Sequence, residues 1–409
     1  PTDCPQRDER LGWLGDRVQG CRGEAFIFDN RSLYRKWVTD IADTQTPEGY
    51  ISNTAPVLWP NNPANYNVTW PSAFISVSDM LRRQYGDFSA VREYYPKMLF
   101  FLQGVREHFT DSSGLVWKDT YGDWCMPPES LELIHSNDPS RITDGGLLSS
   151  AFYFAICRKM ASFAAELGLP EDEAGLLAEA DKIRDAFNAA WFHPETASYS
   201  NGTLTANILP LYFGIVPDGK EDEVFETIVA KITESGEPGI CCGVVGMMFL
   251  MRTLSDFGRP DLALSLALRD TYPSWGYMAG RGATTIWELW NGDTAAPDMN
   301  SGNHVMLLGD LVEWFYSYLG GISPAAPGFR EITLRPFIPS EGPVWVDCSY
   351  DSPFGLIRSH WRRSGTKVVW RFTVPEGTSA MVFKPGSDQG TEYAPGSYRL
   401  VFRLPETGQ

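Results

Sequence analysis

The chain has 409 residues, and its 51 acidic side chains against 34 Lys and Arg side chains give a formal net charge of −17. A chain of this length is too long for one hydrophobic core of ordinary size, and it indicates either two domains or one large helical barrel with an appended domain. The charge argues against nucleic acid or an anionic membrane surface as a partner, because both attract clustered Lys and Arg. A neutral or cationic ligand fits better.

Apolar residues recur at helical spacing from about residue 23 to residue 320, between loops rich in Gly, Pro, Asn and Asp. The pattern predicts helices over 24–44, 72–85, 91–109, 144–167, 171–191, 221–235, 242–257, 261–269 and 303–319. Long aromatic loops run over 50–70, 117–144 and 272–303. Loops of this length in a compact domain usually carry function, so we expect the functional site there.

After about residue 320 the pattern changes to short segments rich in β-branched and aromatic residues. Strands are predicted over 331–334, 344–347, 368–374, 380–383 and 398–402. Turn residues separate these segments, which is typical of an antiparallel β domain. The domain carries too few strong functional groups to indicate a second site, so packing against the helical domain is its expected role.

The cysteine pattern and the lengths of the apolar stretches argue against several classes of protein. Seven cysteines in a chain of this length form neither a dense disulfide framework nor a zinc-binding pattern, and we predict mostly buried thiols with no metal or cofactor. No stretch approaches the ~20 apolar residues of a membrane span, and no signal peptide is recognisable. Because the chain begins with Pro1, we expect a fragment of a longer protein, and its compartment is not indicated.

The run from Asp3 to Asp16 is the most informative segment. It places four acids, two arginines and a tryptophan among residues that restrict the backbone, which is a composition suited to holding a polar ligand. Glu9 is a candidate general acid, because nearby negative charges would keep it protonated, although Arg7 and Arg10 oppose this. A loop whose carboxylates simply pair with these arginines is the alternative.

A second candidate carboxylate is Glu288, which lies between Trp287 and Trp290 after a loop rich in aromatic residues. Glycoside hydrolysis needs two carboxyl groups, one to protonate the leaving group and one to activate water or attack carbon. A glutamate flanked by tryptophans is suited to the floor of a sugar-binding pocket. Tryptophans that only anchor the loop are the alternative.

Three further residues belong to loops or loop-to-helix junctions. His304 follows an Asn-Ser-Gly-Asn run at a predicted helix start, where amides and an imidazole together can hold a hydroxyl group. Trp70 and Trp124 stand where an aromatic side chain can face a cleft. A structural histidine and core tryptophans are the alternatives.

These motifs resemble those of a known family. The run from Asp3 to Asp16 closely resembles the hallmark DCPQRDERLGW-x-GD of the α-L-rhamnosidases of glycoside hydrolase family 78, with Leu14 at the variable position. The segments 272–276 and 282–290 resemble its second hallmark, and 299–304 with 313–314 and 320–322 resembles its third. Nearly the whole chain is covered.

The resemblance implies a mainly α fold, with an (α/α)6 barrel over 1–322 followed by a small antiparallel β-sandwich domain over 323–409. It implies an inverting exo-acting α-L-rhamnosidase in which Glu9 is the general acid and Glu288 the general base. Further residues would contact a rhamnose-containing glycoside: Asp3, Arg7, Trp13, Asp16, Trp70, Trp124, Trp287 and His304. No cofactor, metal, nucleic acid or membrane is implied.

The chain also departs from the family pattern. Where family members commonly have Trp-Gly-Asp-Ala, this chain has Trp70-Pro71-Ser72-Ala73, without the acid. The β domains that precede the barrel and the barrel's first helix are expected to be missing. Two alternatives therefore stay open: an (α/α)6 glycosidase for a related deoxy or pentose sugar, and a sugar-binding fragment without turnover, because Glu9 lies near a chain end.

Overall fold

The computed structural model describes residues 3, 10–57, 67–127, 138–295 and 301–404. The chain divides into two compact units. The first consists of Pro1–Gly20, Arg35–Ser78 and Ser89–Asp310, and the second of Cys21–Tyr34, Asp79–Phe88 and Leu311–Gln409. A domain boundary at residue 322 stays a prediction.

The described part of the chain up to residue 320 is mostly helical, as expected. Its α-helices are α1 Leu14–Val18, α2 Cys21–Ile27, α3 Arg31–Ala42, α4 Ala73–Tyr85, α5 Ser89–His108, α6 Gly145–Leu167, α7 Pro170–Trp191, α8 Leu204–Phe213, α9 Glu221–Thr233, α10 Val244–Met247, α11 Leu250–Asp256, α12 Pro260–Leu268, α13 Trp275–Gly280 and α14 Leu311–Trp314. None of these described helices has the length and apolar character that crossing a bilayer requires.

The hairpin of α6 and α7 shows how local signals set the helices. The Asp144 carboxylate accepts a 2.8 Å hydrogen bond from the Leu147 N–H at the start of α6, and Gly168 ends the helix with a φ of 73°. Pro170 occupies the first turn of α7, where a missing N–H costs nothing. Both helices begin and end within one residue of the predicted bounds.

Other helical predictions were wrong in length. The stretch predicted over 24–44 forms two helices, because the chain leaves the helix at Phe28 and the Asn30 carbonyl starts the next one by accepting the Tyr34 N–H. The last predicted helix is a short 3-10 turn, Met306–Leu308, followed by α14 and a π-helical turn, Phe315–Leu319. Helix α8 was missed, because residues buried on all sides leave no amphipathic period to detect.

The strands are β1 Phe192–His193, β2 Ser198–Tyr199, β3 Ile322–Pro324, β4 Glu331–Leu334, β5 Trp345–Ser352, β6 Gly355–Ser364, β7 Lys367–Val374, β8 Ser379–Phe383, β9 Gly390–Tyr393 and β10 Gly396–Arg403. β1 and β2 pair as a small hairpin after α7. The others form two four-stranded sheets with orders β10-β7-β6-β5 and β3-β4-β8-β9. The predicted β domain is therefore confirmed, and within it β4 and β8 run parallel.

Strand β6 was not predicted, although it lies at the centre of its sheet. Its inward residues Ile357, Ser359 and Trp361 are fully buried, whereas the alternate residues face solvent. The Trp361 indole N–H donates to the Leu319 carbonyl at 2.9 Å, which satisfies the polar atom of a buried ring. Because arginines occupy outward positions of this strand, its sequence resembles that of a hydrophilic loop.

The described cysteines carry free thiols, and most of them are buried, as expected: Cys21, Cys125, Cys157, Cys241, Cys242 and Cys348. Burial raises the pKa of Cys157 and Cys242 well above the usual thiol value. These thiols therefore stay protonated at neutral pH and behave as small apolar side chains.

Candidate active site

The segment before α1 is fixed to a neighbouring loop by backbone hydrogen bonds. The Leu14 N–H donates to the Asn53 carbonyl at 2.9 Å, and the Ala55 N–H donates to the Gly12 carbonyl at 3.0 Å. Trp13 lies between these two bonds, in an isolated β-bridge with Thr54. This pairing holds the start of α1, and with it Asp16 in the first helical turn, in a defined place.

Three titratable side chains from distant parts of the sequence meet beside α1. His304 Nε2 lies 3.2 Å from Asp3 Oδ2 and 3.9 Å from Asp16 Oδ1. Asp3 and His304 are each only 4% exposed. The structure thus brings together three of the residues predicted to contact substrate, across 301 positions of sequence between Asp3 and His304.

Hydrogen bonds determine which nitrogen of His304 carries the proton. The Met306 N–H donates to Nδ1 at 3.1 Å, so in the neutral ring the proton sits on Nε2 and is donated to Asp3. Burial lowers the pKa of His304, but the hydrogen bond that His304 donates to Asp3 and the charges of Asp16 and Glu288 outweigh burial and raise the pKa. The contact with the Met306 N–H opposes this rise, because it stabilises an unprotonated Nδ1.

The same three side chains satisfy the spacing of a metal site, with one candidate ligand atom from each lying within 4.8 Å of the others. The hydrogen bonding argues against this use. Nε2 carries a proton in both the neutral and the charged ring, whereas a metal ligand must present a lone pair. The cluster is therefore suited to binding hydroxyl groups by hydrogen bonds.

Asp16 is held in an environment that disfavours its charge. Burial raises its pKa to about 6, assisted by the neighbouring Asp3, while His304 and a hydrogen bond from Trp70 act in the opposite direction. The Trp70 indole N–H donates to Asp16 Oδ2 at 2.9 Å. Gly15 makes this contact feasible, because a Cβ at that position would overlap the Trp70 ring.

Tyr121 joins the two tryptophans of this region and was not predicted. Its ring lies edge-on to Trp13 at 5.4 Å between centroids and tilted against Trp70 at 5.0 Å. Its hydroxyl accepts a 3.4 Å hydrogen bond from the Asn53 side chain, and burial raises its pKa to about 12. Trp70 is 3% exposed, so it packs as an interior support of Asp16, whereas Trp13 is partly exposed.

Two partly buried aspartates organise the loop that carries Tyr121 and Trp124. Asp119 accepts hydrogen bonds from the Thr69 and Ser149 hydroxyls at 2.6 and 2.9 Å and from the backbone of Tyr121 and Gly122. Burial nevertheless raises the pKa of Asp119. The Asp119 carboxylate thus fixes the loop, although Asp119 was not among the residues predicted from the sequence.

Asp123 attaches the same loop to the start of α10. Its carboxylate accepts the N–H groups of Gly243 at 2.8 Å and Val245 at 2.9 Å, together with the Thr205 hydroxyl. The Trp124 carbonyl accepts the Val244 N–H at 2.8 Å. Trp124 is partly exposed, in agreement with its expected loop position, and its contact with a sugar stays a prediction.

Glu288 is buried and oriented by the backbone. The Glu288 N–H donates to the Ser301 carbonyl, and the Ser301 N–H donates back to Glu288 Oε2, both at 2.9 Å. The His304 N–H donates to the Ile286 carbonyl at 2.8 Å, so the segments that carry Glu288 and His304 are paired. Ser301 was missed, because it acts through its backbone rather than its side chain.

Trp287, the neighbour of Glu288, is partly exposed, and its ring packs on Gly292, where a Cβ would overlap it. Its contact with a sugar stays a prediction. Glu9 and Arg7 lie outside the described residues. The separation between the carboxyl groups of Glu9 and Glu288, and with it the expected 6.5 to 9.5 Å of an inverting pair, therefore also stays a prediction.

The raised pKa of Asp16 predicts a pH dependence of stability. Between about pH 4 and pH 6 the folded protein holds a proton on Asp16 that the unfolded chain has released. Proton binding at Asp16 therefore stabilises the folded state at low pH, and this stabilisation is lost as the pH rises through 6. We expect the free energy of unfolding of Asp16→Asn, relative to wild type, to rise by about 2 to 3 kcal/mol from pH 4 to pH 7. Urea unfolding at both pH values measures it.

The matched control is Asp218→Asn, which removes an exposed carboxylate. Its stability relative to wild type should be the same at both pH values. If Asp16→Asn and Asp218→Asn show the same pH dependence, Asp16 is not held in a charge-disfavouring environment.

A mostly helical unit that gathers buried carboxylates, a histidine and tryptophans from its long connecting loops has the architecture of a helical-barrel glycosidase. The sequence model of the bacterial alpha-L-rhamnosidase 6 hairpin glycosidase domain matches residues 1–319, and that of the bacterial alpha-L-rhamnosidase C-terminal domain matches 321–399. The chain belongs to this family of bacterial α-L-rhamnosidases, which confirms the resemblance to glycoside hydrolase family 78 and the (α/α)6 fold.

Comparison with individual proteins agrees with this family assignment. An alpha-L-rhamnosidase of Streptomyces avermitilis is 30% identical over 391 residues, which are 94% of this chain and 36% of that protein. The structure of an alpha-L-rhamnosidase from Dictyoglumus thermophilum has a TM-score of 0.89 at 28% identity, over 99% of this chain and 47% of that one. The structure of a Streptomyces avermitilis alpha-L-rhamnosidase complexed with L-rhamnose has a TM-score of 0.89 at 28% identity, over 98% of this chain and 39% of that one. The chain thus spans less than half the length of each of these relatives.

Proposed function

We propose that the protein hydrolyses terminal α-L-rhamnosyl residues from glycosides or oligosaccharides, with inversion at the anomeric carbon. The observation that carries the proposal is the paired loop that buries Glu288 and places His304 on Asp3 and Asp16. Family membership and the L-rhamnose complex of the Streptomyces avermitilis relative support the choice of sugar.

In this mechanism Glu288 acts as the general base. Its carboxylate takes a proton from a water molecule as that water attacks the anomeric carbon on the face opposite the leaving group. The Ser301 N–H supports the role, because a backbone donor fixes the carboxylate orientation without supplying a competing charge. Glu9, which the family motif places in the role of general acid, protonates the glycosidic oxygen as the bond breaks.

The remaining residues bind the sugar. Asp3, Asp16 and His304 offer carboxylate oxygens and an imidazole for hydroxyl groups, and burial strengthens such hydrogen bonds. Trp13, Trp124 and Trp287 are partly exposed and offer flat apolar faces to the ring and its methyl group. An enclosed set of polar groups is suited to one terminal sugar, which supports exo action.

Hydrolysis of an aryl α-L-rhamnoside by the full chain tests this proposal, with proton NMR to identify the first sugar released. We expect β-rhamnose first, because water enters opposite the leaving group. Aryl glycosides of a related deoxy sugar and a pentose should react at least about 100-fold more slowly, since unpaired buried polar groups penalise the wrong sugar. An oligosaccharide with only internal rhamnose should stay uncut.

Each other outcome has a defined meaning. Initial α-rhamnose would contradict inversion, and faster reaction of another sugar would transfer the assignment to a related (α/α)6 glycosidase. Binding of L-rhamnose without turnover would support the sugar-binding alternative.

A further inference from the structure

The outer face of the sheet β10-β7-β6-β5 is strongly cationic, although the whole chain carries a net charge of −17. Residues alternate between a buried and a solvent-facing side along these strands, and the outward side carries Arg358, Arg362, Lys367, Arg371, Arg399 and Arg403. The outward acids are Asp347 and Asp351, both on the edge strand β5. We call this surface the arginine face.

The register of the arginine face places like charges opposite each other. Arg371 of β7 pairs directly with Arg399 of β10, and Lys367 pairs with Arg403. Directly opposed like charges destabilise a sheet, and local choices that oppose the fold are typical of functional positions. The sheet therefore retains an arrangement that folding alone does not explain.

These cations differ in how they are neutralised. Arg358 forms a bidentate ion pair with Asp347, at 3.1 and 2.6 Å. Arg371 and Arg399 have no carboxylate partner within the described part of the chain. Their guanidinium groups are therefore available to an anionic ligand, which a planar fork of donors binds well.

The surroundings of Arg371 and Arg399 are suited to a sugar chain. Together with Arg358 and His360 they line a depression of about 570 Å³. The hydroxyls of Thr373 and Ser397 lie 3.2 Å apart on the same face.

An exposed aromatic ring completes the surface. Trp345 is 59% exposed on the outward side of the edge strand β5, where it pairs with Arg362. Aromatic faces and hydroxyls beside arginines can recognise a carboxylated sugar, whereas a phosphate backbone needs only the charges.

We propose that the arginine face binds an acidic polysaccharide, with the carboxylates of uronate residues on Arg371 and Arg399 and a sugar ring against Trp345. This gives the β domain a binding role, where the sequence indicated only packing. The inference goes beyond the proposed hydrolysis and does not depend on it, because binding is measured without turnover.

The test measures binding of polygalacturonate to the full chain by isothermal titration calorimetry at low salt. The fully methyl-esterified polymer serves as a neutral ligand with the same backbone. We expect the double variant Arg371→Thr/Arg399→Thr to lose about tenfold or more in affinity, and the methyl ester not to bind the wild type. Raising the salt concentration should weaken wild-type binding.

Two matched variants separate a specific site from general charge. Lys182→Thr/Lys220→Thr removes the same net charge outside the sheet, from a position within α7 and from the residue before α9, and should change the affinity less than twofold. Arg371→Lys/Arg399→Lys keeps the charge without the planar fork and should lose about threefold to fivefold. The threonine variant should melt no lower than wild type and should hydrolyse aryl α-L-rhamnoside normally.

Several results would overturn the proposal. These are no binding of polygalacturonate by wild type, equal binding of the methyl ester, or unchanged affinity in the threonine variant. Tighter binding of single-stranded DNA than of polygalacturonate would assign the face to nucleic acid instead. If the threonine variant does not fold, unchanged affinity in the lysine variant is the overturning result. If the wild type binds polygalacturonate but does not hydrolyse aryl α-L-rhamnoside, this result would contradict only the proposed function.

Discussion

Replacing Glu288 by glutamine is expected to lower kcat for hydrolysis of an aryl α-L-rhamnoside by about 1,000-fold, with KM changed less than threefold. Positioned general bases contribute about 10² to 10⁴ in rate, so removing one appears in kcat. Glutamine is nearly isosteric, and its carbonyl oxygen can accept the Ser301 N–H that now donates to Glu288 Oε2 at 2.9 Å. The loop geometry is thus preserved while the proton acceptor is lost.

The matched control is Glu331→Gln, which makes the same chemical change at an exposed position of β4. Its kcat should stay within twofold of wild type. Steady-state kinetics with equal circular dichroism spectra for all three proteins measure the effect. A loss of less than tenfold in Glu288→Gln would show that another group activates the water and would remove Glu288 from the mechanism.

The helices show which parts of the fold the sequence could predict. Helices α6 and α7 were correct to within one residue, because Asp144, Gly168 and Pro170 are local signals whose effect depends on the backbone alone. Helix α8 lacks such a signal, since burial on all sides removes the amphipathic period. Strand β6 was missed because its alternation is masked by arginines on the outward face, and only the sheet pairing shows that the buried residues are central.

The candidate site divides in the same way. His304 and Glu288 could be selected from motifs, because an imidazole and a carboxylate carry recognisable chemistry. Tyr121 and Ser301 could not, since one acts by packing between Trp13 and the rest of the cluster and the other by a backbone N–H. Such roles depend on three-dimensional neighbours, which residue type alone does not reveal.

Replacing Gly15 by alanine is expected to lower the free energy of unfolding by about 2 to 3 kcal/mol and to weaken binding of L-rhamnose. The added Cβ would overlap the buried ring of Trp70, and overpacking of this kind forces the ring or the helix to move. Displacement of Trp70 breaks its 2.9 Å hydrogen bond to Asp16, which lies one residue after the substitution. Urea unfolding measures the stability, and calorimetric titration with L-rhamnose measures the binding.

Gly175→Ala provides the control for Gly15→Ala, because Gly175 lies exposed within α7 and a Cβ there meets no atom within 4 Å. Helix propensity alone then acts, and alanine should stabilise the protein by about 0.5 to 1 kcal/mol. The two substitutions are thus identical in chemistry and opposite in sign. If Gly15→Ala is as stable as wild type and binds L-rhamnose equally well, the close packing of Trp70 on Gly15 does not position Asp16.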